Sequence, residues 1–85
     1  MKTKLSETNL TEIGFKLKKL DGYIWYERKI KGASFITNDQ HTVRTQKTWN
    51  VGFQLDYMTD HIFPKSCDNV EDTKALIQGL TGKET

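Results

Sequence analysis

The sequence predicts an α+β domain: an antiparallel four- to five-stranded meander with a short N-terminal helix and a C-terminal helix packed on one face, in the order α-β-β-β-β-(β)-α. Three observations lead there. The stretch WNVGFQL sets Trp49, Val51, Phe53 and Leu55 on one side and Asn50, Gly52 and Gln54 on the other, the two-residue period of a strand with one buried face. Asp21-Gly22 stands between two alternating runs, a strong short-range hairpin signal. DNVEDTKALIQGLTGK carries Val70, Thr73, Leu76, Ile77 and Leu80 at helical spacing, an apolar stripe that needs a sheet to cover. Strands joined by tight turns pair antiparallel, and such a sheet keeps one face on the core.

Each element can be justified in order. SETNLTEIGF reads as one or two helical turns with Leu10 and Ile13 inward and Leu5 able to join them, ended by Gly14. FKLKKL alternates, Phe15 and Leu17 against Lys16 and Lys18. The second strand, YIWYERKI, is ambiguous. Ile24, Tyr26, Arg28 and Ile30 share one face and Tyr23, Trp25, Glu27 and Lys29 the other, and neither is cleanly apolar. Lys31-Gly32 turns the chain into a third strand, ASFIT. NDQHTVRTQK has only Val43 to anchor it and is expected to be a mobile or partner-contacting loop. After the fourth strand, DYMTDHIF reads as a short fifth strand or an irregular edge stopped by Pro64. The last helix starts at Asn69, a good N-cap with Asp72 in capping-box position, and stops at Gly82.

At 85 residues the chain is expected to form a single domain, 1–85, with a modest core. Leu, Ile, Val and Phe make up about 24% of it, above the roughly 20% under which chains tend to be disordered. No apolar run approaches the roughly 20 residues that span a bilayer, and the N-terminal stretch lacks the apolar segment of a secretory signal. One cysteine, Cys67, excludes an internal disulfide and suits a reducing compartment. The expected location is the cytoplasm, with no membrane partner. Net charge is only +2, but residues 1–31 carry +4 and residues 56–72 carry −4: a basic end and an acidic end.

Chemistry-bearing residues are sparse. His41, His61, Cys67, Asp56 and Asp60 have no zinc-module spacing, Cys67 has no local base or oxyanion motif, and no phosphate-cradling glycine loop occurs. The expectation is therefore no enzyme, no metal and no cofactor. Two binding readings remain. Lys16, Lys18, Arg28 and Lys29 beside Tyr23, Trp25 and Tyr26 interleave cations with flat rings, as single-stranded RNA or DNA requires. Alternatively, whichever face of YIWYERKI one helix layer cannot hide becomes an apolar patch rimmed by charge, the usual anchor of a protein interface. His41 and Arg44 in the 38–47 stretch, and Asp56 and Asp60 in the acidic one, complete the candidate contact residues.

EIGFKL, the tryptophan of YIWYE, FITND, WNVGF and the closing DTKALIQGLTGKE together resemble small proteins encoded by phages and mobile elements. That resemblance covers most of the chain and brings no catalytic or ligand residues with it. It implies a non-catalytic module that occupies a surface of a host protein or protein–RNA complex, in the manner of inhibitors of host CRISPR nucleases. The acidic stretch 56–72 would then face a basic channel, or the basic hairpin would face RNA directly.

Overall fold

The computed structural model describes residues 2–82; Lys83, the last residue of the stretch read as helix, lies outside them. The elements run α1 (Glu7–Glu12), β1 (Lys16–Leu20), β2 (Tyr23–Ile30), β3 (Ala33–Thr37), α2 (Gln40–Gln46), β4 (Val51–Leu55) and α3 (Val70–Thr81). The four strands form one antiparallel sheet in the order β1-β2-β3-β4. This is the expected mixed α+β meander, with helices at both ends of the chain.

Local chemistry sets the boundaries. Ser6 caps α1: its Oγ accepts from the Asn9 amide at 3.2 Å while Asn9 Oδ1 accepts from the Ser6 amide at 2.7 Å, a reciprocal capping box. Asp21 and Gly22 both take positive φ, 51° and 83°, the mirror-image turn whose twist matches the flanking strands. Asn69 caps α3 by accepting from the Asp72 amide at 2.8 Å, and Gly82 ends it in the left-handed region.

Register then sorts the side chains. The pairs Leu17↔Tyr26, Arg28↔Phe35 and Phe35↔Phe53 place those residues on one face. There Tyr26, Ala33, Phe35, Thr37 and Val51 are buried with Phe15 and Trp49 under Leu5, Leu10 and Ile13 from the N-terminal region and Thr73 and Ile77 from α3. Tyr26 and Trp49 meet edge to face at 5.5 Å. The Trp49–Leu55 alternation does point inward, Trp49 and Val51 buried and Phe53 and Leu55 packed against the core, but β4 is an edge strand and α3 meets the sheet chiefly at β3.

One segment departs from the sequence expectation, and a second settles an alternative it left open. NDQHTVRTQK is not a loop; its centre is α2. Asp39 accepts from the Thr42 amide at 2.8 Å and Lys47 closes the helix with φ 66°, so two caps sustain a helix with no fully buried residue. Its base is pinned where the Asn38 amide donates to Asn50 O and the Asn50 amide donates to Asn38 Oδ1. Of the two alternatives for residues 56–63, a short fifth strand or an irregular edge, the structure has the irregular edge. Phe53 and Ile62 exchange backbone hydrogen bonds at 2.9 and 2.8 Å, and the Val51 amide donates to Cys67 O at 2.9 Å. The segment 62–67 therefore closes the outer edge of β4.

The basic N-terminus meets the acidic stretch. The Val70 amide donates to Thr3 O, Lys2 Nζ lies 2.7 Å from Asp72, and the Thr3 amide donates to Glu71. Among the described residues no helix is long and apolar enough to cross a membrane.

Candidate interaction face

The sheet face opposite the helices is built by the other parity of each strand: Lys16, Lys18 and Leu20 of β1, Tyr23, Trp25, Glu27 and Lys29 of β2, Ser34 and Ile36 of β3, and Gly52 and Gln54 of β4. One corner is covered by the returning chain. Phe63 lies over Gly52, where a Cβ would come within 2.8 Å of its ring. His61 Nε2 sits 3.3 Å from Ser34 Oγ. Gly52 stands opposite Ile36 in the register, so the missing side chain makes the seat for the Phe63 ring.

A groove opens where β2 and β3 part. Their ladder runs only from Ile30↔Ala33 to Glu27↔Ile36. At Tyr26 the backbone amide turns instead to Thr37 Oγ1 at 2.9 Å, and Tyr23 to Trp25 continue without β3 partners. The resulting cavity, about 420 Å³, is lined by Leu20, Tyr23, Trp25, Ile36 and Phe63. Leu20 is 63%, Tyr23 51% and Phe63 46% exposed, so much of this apolar surface faces solvent. Trp25 Nε1 is buried without a hydrogen-bond partner among the described residues, an unsatisfied donor that native structures seldom leave. Tyr23 is braced edge to face against His41 of α2 at 5.3 Å.

Charge flanks the groove. Asp21 and Asp39 stand in its wall. The backbone hydrogen bond from Thr42 holds the Asp39 carboxyl below the usual carboxylate range, so it is ionised at neutral pH. Toward the other end of the hairpin, Lys16, Lys18, Arg28 and Lys29 line a second cavity of about 330 Å³ together with Glu27.

The sequence candidates therefore divide. Tyr23 and Trp25 line the groove, His41 touches Tyr23 from outside its lining, and Lys16, Lys18 and Lys29 share its face. Tyr26 does not belong: it is buried on the helix side against Trp49. Arg28 also projects from the helix-covered face, and its Nη1 donates to Ile13 O at the end of α1 at 2.7 Å. Arg44 is exposed in the last turn of α2, outside the groove lining. Asp56 follows β4 and shares a cavity with Lys29 and Lys31, so the basic and acidic stretches of the sequence come together there. Asp60 is exposed in the turn beyond. Leu20, Ile36, Phe63 and Asp39 were missed; Gly52 among the polar-side positions of β4 was the available signal for a close approach.

Cys67 is buried, and desolvation pushes its thiol pKa up, which disfavours the reactive thiolate. No group of three potential metal ligands gathers among the described residues. No family model, curated protein or solved structure matches the chain.

Proposed function

We propose that this protein is a non-catalytic protein-binding module, acting in the cytoplasm as a phage-type inhibitor of a host protein or ribonucleoprotein, anti-CRISPR-like at its most specific. The observation that carries this reading is the solvent-facing apolar groove on the sheet face that the helices leave uncovered. Aromatic and aliphatic walls beside charged residues are what anchor side chains of a partner protein require. Beneath the groove, Trp25 Nε1 is a buried donor that no described residue satisfies.

The second reading, single-stranded RNA or DNA binding, is favoured by Lys16, Lys18 and Lys29 standing on the same face as Tyr23 and Trp25. It is weakened by where the carboxylates fall. Asp21 and Asp39 stand beside the rings on which bases would stack, and Glu27 stands among the lysines. Phosphates would meet repulsion at both ends.

Affinity capture from host lysate, with and without nuclease, tests the choice. A partner protein or ribonucleoprotein should be retained after nuclease treatment and lost from the Trp25→Ala and Phe63→Ala variants. Capture that disappears with nuclease, and with Lys16→Glu/Lys18→Glu, would assign the face to nucleic acid.

A further inference from the structure

The two edges of the sheet are treated differently. β4 is closed by the chain itself through the Phe53–Ile62 bridge and the Val51–Cys67 bond. β1 lies at the opposite edge, all five of its residues are exposed, and its outer side carries no strand partner among the described residues. Such an edge presents a row of backbone donors and acceptors ready for an added strand.

The side chains of β1 restrict what can be added. Lys16 and Lys18 stand on the uncovered face and Lys19 on the other, and none of the three forms an ion pair among the described residues. Leu17 and Leu20 are exposed on opposite faces of the strand. A second copy of β1 would set lysine against lysine, and like charges directly opposite are destabilising. An acidic strand reverses that sign, and apolar side chains opposite Leu17 and Leu20 would cover what the edge leaves wet.

Resting on the protein-binding reading, we propose that β1 is a docking edge for an extended acidic segment of the partner, which joins the sheet as an added antiparallel strand. It bears carboxylates opposite Lys16, Lys18 and Lys19 and apolar residues opposite Leu17 and Leu20. Backbone bonding supplies the geometry and the lysines supply the selection. Because β1 ends at Leu20, in the groove wall, the segment leads directly toward the groove.

The capped peptide Thr-Val-Glu-Glu-Val-Glu-Thr, titrated into the full chain and followed by amide resonances and hydrogen exchange, is the test. Exchange should slow at alternate β1 amides, those that point outward. The Lys16→Glu/Lys18→Glu/Lys19→Glu variant changes only exposed side chains. It should bind the peptide roughly tenfold more weakly or worse and prefer the counterpart with lysines in place of glutamates. No binding, equal binding of both peptides by the native chain, or binding that leaves β1 exchange unaltered would overturn the proposal. So would oligothymidylate that binds the lysines and displaces the peptide. Capture of a partner that depends on Trp25 and Phe63 but survives the triple lysine change would leave the protein-binding reading standing and remove the edge from it.

Discussion

Thr73 sits in the apolar stripe of α3 with no exposed surface, and its Oγ1 has no hydrogen-bond partner among the described residues. A hydroxyl in that position has lost water and gained nothing. Thr73→Val keeps the β-branched shape, and with it the rotamer restriction, while removing the unsatisfied oxygen. The variant is expected to be about 1 kcal/mol more stable, which in a domain of this size raises Tm by roughly 4–8 °C. Thermal unfolding checks it, and a lowered Tm would mean the hydroxyl is bonded after all. The stripe itself was legible because its period is local. The face of β2 was not. YIWYERKI has apolar and charged residues on both sides, and what places Arg28 toward the helices is the Ile13 carbonyl, fifteen positions away. Gly52 shows the same limit: its position signalled a close approach without naming Phe63 as the group that arrives.

At the scale of elements, hairpin, first helix and last helix could be read because each carries its own signals: Asp21-Gly22, Leu10 and Ile13 with Gly14, Asn69 with Gly82. α2 hid because its signals are caps without a stripe. With no fully buried side chain, its stability rests on Asp39 at one end, Lys47 at the other, and Val43 against the core. Asp39→Ala should therefore cost about 1 kcal/mol of local helix stability and speed amide exchange across Gln40–Gln46. Exchange in β3 and β4 should be little altered if opening is confined to this element. Since Asp39 and Thr42 also line the groove, the same variant should weaken partner capture. Unchanged exchange in α2 would show that packing of Val43 alone holds it.

At the scale of the whole molecule, the N-terminal segment is joined by charge to the first turn of α3. Lys2 and Asn69 lower the Asp72 pKa, chiefly through the hydrogen bond from Lys2, and the Thr3 amide lowers that of Glu71. A carboxyl depressed in the folded state binds its proton later on acidification than it does in the unfolded chain. Its contribution to stability is complete above the ordinary carboxylate value, near about pH 4, and is lost as pH falls below it. Urea unfolding at about pH 6 and about pH 3 should show this: the Glu71→Gln/Asp72→Asn variant should be less stable than the native chain at the higher pH, and the gap should shrink at the lower. Both groups are in contact with solvent, so added salt should narrow it too. A gap that is the same at both pH values would mean the clasp is not electrostatic.

The asymmetry of the sheet edges bears finally on stoichiometry. A strand bound at β1 has no second site on the other side of the sheet, because residues 62–67 already occupy it. Stacking of copies head to tail, the β1 edge of one against the β4 edge of the next, is therefore closed off, and with it one route by which an open sheet seeds a fibre.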